Sequence, residues 1–165
     1  MSRQYKEKPR PKELDTPRVL SIIKRMSNAN TAVFRATRGV FGAKFRIGAA
    51  FPWGVPVALL TTKGRKTGQA RTVPLLVLRD GEKAVFVGSQ GGLPNHPAWY
   101  LNLQSDPDVV VQLRFRGPRA MKARTADADE RAHYWPQLTS MYADFVNYQS
   151  WTEREIPVVI CEPTA

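Results

Sequence analysis

Three short apolar runs, Val57–Thr62, Arg71–Arg79 and Lys83–Gly88, follow one another with only turn chemistry between them. Such runs read as strands, and Asp80-Gly81 is a strong hairpin signal. No connection here is long enough to hold the helix of a parallel crossover, so pairing must be antiparallel. Pro74 interrupts the second run and belongs at an edge or a bulge. Val109–Phe115, the turn Gly117-Pro118, Ala120–Ala126 and a final β-branched run, Ile156–Cys161, extend the pattern. About six mostly antiparallel strands result. Rolling them into a closed or split barrel removes exposed edges, so an α+β barrel with peripheral helices is expected.

Helices punctuate this pattern. Thr16 suits an N-cap, with Pro17 at the first helical position. Val19, Leu20, Ile22, Ile23, Met26, Val33 and Phe34 then recur at spacings of three and four, giving an amphipathic helix over 16–38. Its other face carries Arg18, Lys24, Arg25 and Arg35. Packing of the apolar face on the domain is the preferred reading, and lying on a membrane surface is the other. Residues 39–54 read as a Gly-rich loop anchored by Phe41, Phe45, Phe51 and Trp53. Asn95 caps a short helix through Leu103, ended by Ser105-Asp106-Pro107. Asp127 with Glu130 forms a capping box for a helix to Met141, and Tyr142–Arg154 continues as an aromatic helical segment. The organisation expected is a disordered basic arm over 1–15 and one domain over 16–165.

Charge is concentrated at one end. Residues 1–46 hold twelve Lys/Arg against three Asp/Glu, whereas the rest of the chain is nearly balanced. A basic arm attracts nucleic acid, anionic membrane or acidic ligands. Cys161 is the only cysteine, which excludes a disulfide framework and a thiolate cluster and suits a reducing, cytoplasmic setting. The two histidines, His96 and His133, lack metal-ligand spacing, so no metal site is expected. Gly88-Ser89-Gln90-Gly91 is not a nucleophile elbow, and Gly64-Arg65-Lys66-Thr67-Gly68 is not a Walker A loop. If the chain is an enzyme, a cofactor carries the reaction.

Four segments could build a ligand site. The turn TTKGRKTGQAR holds Lys63, Arg65, Lys66 and Arg71, and its glycines let an anion come close to backbone. GSQGG is a small-residue strand end that a ring could lie against. WYLN places an aromatic and an amide on the short helix. Tyr142, Phe145 and Tyr148 fall on roughly one helix face and suit a lid over a planar substrate. Each also has a plain reading: a solvated turn, a tight turn, a packed helix and a core stripe.

Taken together, LLTTKGRKTGQARTVPL, GSQGG, NHPAWYLNLQSDPDVVVQL, ERAHYWPQL and YQSWTEREIPVVICEP resemble the deazaflavin-dependent nitroreductase family of mycobacteria and related actinobacteria. The resemblance runs from about residue 55 to residue 163. It implies a split β-barrel that binds coenzyme F420, a deazaflavin with a phospholactyl group and a polyglutamate tail. It also implies hydride transfer from the reduced coenzyme to a quinone, an enone or a nitroimidazole.

By position, the resemblance implies that Arg65, Lys66, Thr67 and Arg71 hold the phosphate and acidic tail. Thr72, Val73, Pro74, Leu75 and Leu76 would border the deazaflavin on one strand, and Val87, Gly88, Ser89 and Gln90 on another. Ala98, Trp99, Tyr100, Leu101 and Asn102 would close around the cofactor from the helix. Leu76, Tyr142, Phe145 and Tyr148 would meet the acceptor, with Ser89 and Tyr142 orienting it or relaying a proton. Where nitroimidazole-activating members carry tyrosine, tyrosine and lysine, this chain has Leu76, Phe145 and Gln90, which puts prodrug reduction in doubt. Two rivals stand beside this reading: an FMN-dependent split-barrel oxidoreductase, and a non-catalytic basic module binding anionic membrane or nucleic acid. Specific nucleic-acid binding is not expected under the leading reading. Peripheral attachment to the inner face of the membrane through the N-terminal helix is compatible with it. Oligomeric state is not set by the sequence.

Overall fold

The computed structural model describes residues 8–11, 13, 16–46, 50 and 52–164. Residues 1–7, 12, 14 and 15 of the charged lead-in, together with Gly48 and Phe51 of the Gly-rich loop, lie outside the described residues.

Helix α1, Pro17–Ala36, begins where the proline and cap require: the Thr16 hydroxyl accepts from the Val19 N–H. It ends as Arg38 and Gly39 turn to positive φ. The described residues then form eight strands rather than six: β1 Lys44–Phe45, β2 Val55–Lys63, β3 Ala70–Leu76, β4 Leu78–Asp80, β5 Lys83–Val87, β6 Asp108–Gln112, β7 Pro118–Thr125 and β8 Val158–Pro163. One addition is the small β1. The other comes from a break in the expected strand 71–79, where the buried Val77 turns its N–H to the Pro56 carbonyl, 3.0 Å away.

The sheet runs β1-β2-β6-β7-β8-β5-β4, with β3 paired to the other edge of β2, and every pairing is antiparallel. The ladder curls until β3 lies beside β5, yet no ladder joins the two. That unpaired seam makes the barrel split. Pro74, facing Leu59, sits in β3, whose outer edge bonds to no other strand among the described residues. The hairpin at Gly81-Glu82 is closed by the pair Asp80 and Lys83.

Alternation along β5 and β8 feeds two cores. Ala84, Phe86, Val159 and Cys161 point into the barrel with Leu60, Val111 and Met121. Val85, Val87, Val158 and Ile160 point outward beneath helices α3, Ala128–Met141, and α4, Asp144–Ser150. Both faces of β8 are therefore buried, which explains its unbroken apolar run. The Cys161 thiol is fully buried there, and burial pushes its pKa up to about 12.

Helix α2, Ala98–Ser105, starts at Pro97 without a side-chain cap, so Asn95 does not cap it. The capping box of α3 forms as expected: Asp127 Oδ1 accepts from the Glu130 N–H at 2.8 Å, and Glu130 accepts from the Asp127 N–H at 3.1 Å. The aromatic helical segment is shorter than 142–154, because Tyr142 ends α3 as an extended residue.

The largest departure concerns α1. Its apolar face does not pack on the domain: Leu20, Ile22, Ile23, Met26 and Val33 are 40–56% exposed, and only Phe34 is buried, against Ala43 and Leu59. Val40, Phe41 and Trp53 are exposed as well. The helix meets the barrel at β3, where an Arg35 Nη2 donates to the Thr72 hydroxyl at 2.6 Å.

Candidate active site

The turn between β2 and β3 is closed on itself. Gly64 donates to the Gln69 carbonyl, and the N–H groups of Thr67 and Gly68 return to the Gly64 carbonyl. Gly68 sits at φ 70° with open space around it, a conformation a side chain would strain. Arg65, Lys66, Thr67 and Arg71 are all exposed on this turn. Their partners differ. Arg65 hydrogen-bonds through its N–H and one Nη to Asn102 Oδ1, at 3.2 and 3.3 Å, and Asn102 in turn donates to Thr62 at 3.1 Å. Asn102 is thus a buried strut between turn, strand and α2. Arg71 rests on Gln69, and Lys63 pairs with Asp106. Among the described residues, Lys66 makes no hydrogen bond or ion pair.

Beyond the turn, Thr72, Val73, Pro74, Leu75 and Leu76 are all half-buried along β3. Val73 and Leu75 pack with Leu101 against the inner core, while Leu76 packs against the outer one. Across the seam, β5 ends at Val87 and leads into Gly88, Ser89 and the 3-10 turn Gln90–Gly92. Gly88 must be small because a Cβ there would meet Pro157 at 2.7 Å. The Ser89 hydroxyl has no protein partner among the described residues. On α2, Ala98 is exposed, whereas Trp99 and Tyr100 are buried. The Tyr100 hydroxyl is engaged with Thr125 and Gln104, on the β7 side.

The aromatic residues form one cluster. Tyr142 meets Phe145 at 5.1 Å and Tyr148 at 6.1 Å between ring centroids, and Tyr148 meets Trp151 at 5.5 Å. Phe45 of β1 closes the far side on Tyr142 at 5.8 Å. Tyr142 and Phe145 are only 3% exposed, so they are core side chains here, and Tyr148 is the half-open member. The Tyr142 and Tyr148 hydroxyls lie 3.2 Å apart. Burial, first of all, holds both phenols above their ordinary pKa, and the effect is larger at Tyr142. Leu76 and Val87 border this cluster, which brings β3, β5 and α4 to one place. Gly92 seals the junction: a Cβ there would strike the Tyr148 carbonyl at 2.8 Å.

A sequence model described as F420H(2)-dependent quinone reductase matches residues 27–163. The chain belongs to this family. As a family member it is an oxidoreductase whose cofactor is reduced coenzyme F420. An F420H(2)-dependent quinone reductase of Mycobacterium tuberculosis, Rv1261c, is 41% identical over 133 residues, spanning 78% of this chain and 84% of the relative. A solved F420-H2 dependent reductase, FDR-A, superposes with a TM-score of 0.60 at 39% identity, covering 65% of this chain and 94% of that one. A structure described as a domain-swapped dimer superposes with a TM-score of 0.64 at 31% identity, covering 87% of this chain and 98% of the other. The split barrel described above is thus shared with these two solved structures.

Three features escaped the sequence reading. Arg154 donates to several loop carbonyls, Lys8 docks on α4, and Arg35 reaches Thr72. Arg154 stands between Glu153 and Glu155, a pattern that reads as solvent-facing charge.

Proposed function

We propose that this chain reduces a quinone-type acceptor, with the coenzyme seated between β3 and the end of β5 and the acceptor beneath α4. The observation that carries the reading is a convergence. The exposed cationic turn leads into the half-open apolar strand β3, which lies beside β5 without a ladder, and the far end of β3 at Leu76 joins Val87 in the aromatic cluster. A planar ring suits Val73, Leu75 and Leu76 on one side and Val87, Gly88, Ser89 and Gln90 on the other. An acidic tail suits Arg65, Lys66, Thr67 and Arg71. The bound coenzyme supplies a hydride.

The chain's own residues do the rest. The aromatic cluster excludes water from the acceptor side. Ser89 offers a hydroxyl that no other described residue occupies. Tyr142 stays protonated, and its hydroxyl lies 3.2 Å from that of Tyr148, so it orients Tyr148 toward the acceptor while water supplies the proton that completes the reduction. Phe145 fills the cluster without a polar group, and Leu76 adds an apolar border. Such a pocket favours a flat, weakly polar acceptor over one needing several hydrogen bonds.

Fluorescence titration with F420, followed by turnover of menadione with the reduced coenzyme, tests this. Micromolar binding and quinone-dependent oxidation are expected. Absence of binding, or release of FMN from the purified protein, would overturn it.

The exposed face of α1 favours one addition. Leu20, Ile22, Ile23, Met26 and Val33 are exposed on α1, as are Phe41 and Trp53 further along the chain, among the exposed cations Arg18, Lys24, Arg25, Arg38, Lys44 and Arg46. That combination suits an anionic bilayer, where long-chain quinones reside. No described helix is long and apolar enough to cross a membrane. Co-sedimentation with vesicles containing 30% phosphatidylglycerol, lost on Ile22→Glu/Ile23→Glu substitution, is expected; self-association without vesicle binding would overturn the addition.

A further inference from the structure

Arg154 has an unusual set of partners. Its Nε donates to the Leu93 carbonyl at 3.0 Å, and one terminal nitrogen donates to the Ser89 carbonyl at 2.8 Å and the Gly88 carbonyl at 3.2 Å. The other terminal nitrogen donates to His96 Nδ1 at 3.3 Å. Every one of these acceptors is on the connection between β5 and α2. Glu153 and Glu155 flank Arg154 in sequence, yet its guanidinium turns to carbonyls and an imidazole, and Glu155 pairs instead with Arg131.

The connection itself is strained. Gln90, Gly91 and Gly92 take φ of 46°, 64° and 75° in succession, and Gln90 has a side chain. Glycines take this region freely, whereas the side chain of Gln90 persists there only where its surroundings over-determine it. Inside the loop, the Gly92 N–H reaches the Ser89 carbonyl at 3.0 Å and the Leu93 N–H reaches the Gln90 carbonyl at 3.3 Å. Those two bonds alone form a single tight turn. The guanidinium fork ties both ends of the turn, Gly88–Ser89 and Leu93, to one rigid planar group.

We propose that Arg154 is a positioning residue for the reductase, setting the path of residues 88–93 and hence the seat of the coenzyme ring. The assignment rests on the proposed function for the ring contacts of Val87–Gln90. Arg154 acts through backbone carbonyls. Lysine cannot reproduce it, since an ammonium is a point donor and cannot span Gly88, Ser89 and Leu93 in one plane.

The test compares wild type with Arg154→Lys and Arg154→Gln. Amide hydrogen exchange without coenzyme is read at Gly92 and Leu93, with Val159 and Ile160 of β8 as the folded reference. Fluorescence titration gives the F420 dissociation constant, and steady-state assays give kcat and KM for menadione. Charge-assisted hydrogen bonds are lost, so loop exchange is expected to rise about tenfold and the F420 dissociation constant about tenfold, in both variants. The menadione KM is expected to move by less than about threefold, since α4 is untouched. Folded variants with wild-type loop exchange and wild-type coenzyme affinity would overturn the role. Should the Arg154 variants fail to fold, His96→Phe removes one acceptor of the fork and is expected to raise the dissociation constant about twofold; unchanged affinity there overturns the role equally. A wild type that binds no F420 overturns the functional reading itself, whereas normal wild-type binding with unaltered variants overturns only the role of Arg154.

Discussion

The indole Nε1–H of Trp151 donates to the backbone carbonyl of Lys8 at 2.8 Å, across most of the length of the chain. The N–H of the same Lys8 donates to Asn147 Oδ1 at 3.0 Å, and its ammonium lies 4.0 Å from Asp144. One residue near the N-terminus is thereby held by three residues at or beside α4, the helix that carries Phe145 and Tyr148. Asn147 is 1% exposed. Loss of its amide in Asn147→Ala strands buried partners and is expected to destabilise the fold by about 1–3 kcal/mol. Thermal unfolding measures this. Removing residues 1–11 should leave F420 affinity unchanged while raising the menadione KM and speeding amide exchange in α4. Unaltered exchange would show that the arm does not steady the helix.

The cations of the β2–β3 turn are exposed, so each contributes modestly. Lys66→Ala with Arg71→Ala is expected to raise the F420 dissociation constant about tenfold at low salt, from two exposed ion pairs of at most about 1 kcal/mol each. The difference should shrink at 0.5 M salt through screening. A salt-independent loss, or none, would move the acidic tail elsewhere.

Tyr142 titrates far above its ordinary range. It is therefore a neutral acid throughout the working range, and no inflection from it is expected in the pH profile of kcat between about pH 6 and 9. Tyr142→Phe should lower kcat more than it raises the F420 dissociation constant. Equal effects on both would identify a packing role only.

Two groups on α3 set stability at the extremes of pH. The Tyr134 hydroxyl donates to Asp80 at 2.6 Å, and this bond, with burial, raises its pKa from 10.0 to about 12. Between those values the unfolded chain has lost a proton that the folded chain keeps, so stability falls as pH rises through that window. Tyr134→Phe should flatten that fall. Glu130 moves the other way. A two-pronged contact from Arg124, at 2.6 and 2.7 Å, and the Asp127 N–H lower its pKa from 4.5 to about 2. Its contribution is present above the ordinary value and is lost as pH falls toward 2. Melting temperatures of Glu130→Gln and wild type should therefore converge in acid and differ near neutrality.

These contacts mark what can be read from residues alone. Thr16-Pro17, Asp127 with Glu130, and Asp80-Gly81 are local devices whose partners lie within a few residues, and each forms where the pattern indicates. Val77 is different. Its break depends on the Pro56 carbonyl, brought close only when β2 and β3 pair. The period of α1 records that the helix has two faces but not what covers the apolar one, and no described part of the chain does. Arg154 and Asn147 bind backbone groups, which carry no signature in side-chain identity. For the site, ordered motifs located the strands and the aromatic cluster. They did not distinguish Asn102, a buried strut, from Lys66, an exposed cation without a partner among the described residues.

The single thiol has a bearing on the chemistry. Quinones are soft electrophiles that alkylate thiolates, and under the proposed function the chain is exposed to its own acceptor. Cys161 sits in the middle of β8 with its sulfur fully buried and its proton held to about pH 12. Nucleophilic attack requires the thiolate and access to it, and here both are withheld. Under the proposed function, the barrel interior thus shields the thiol from alkylation by a quinone acceptor.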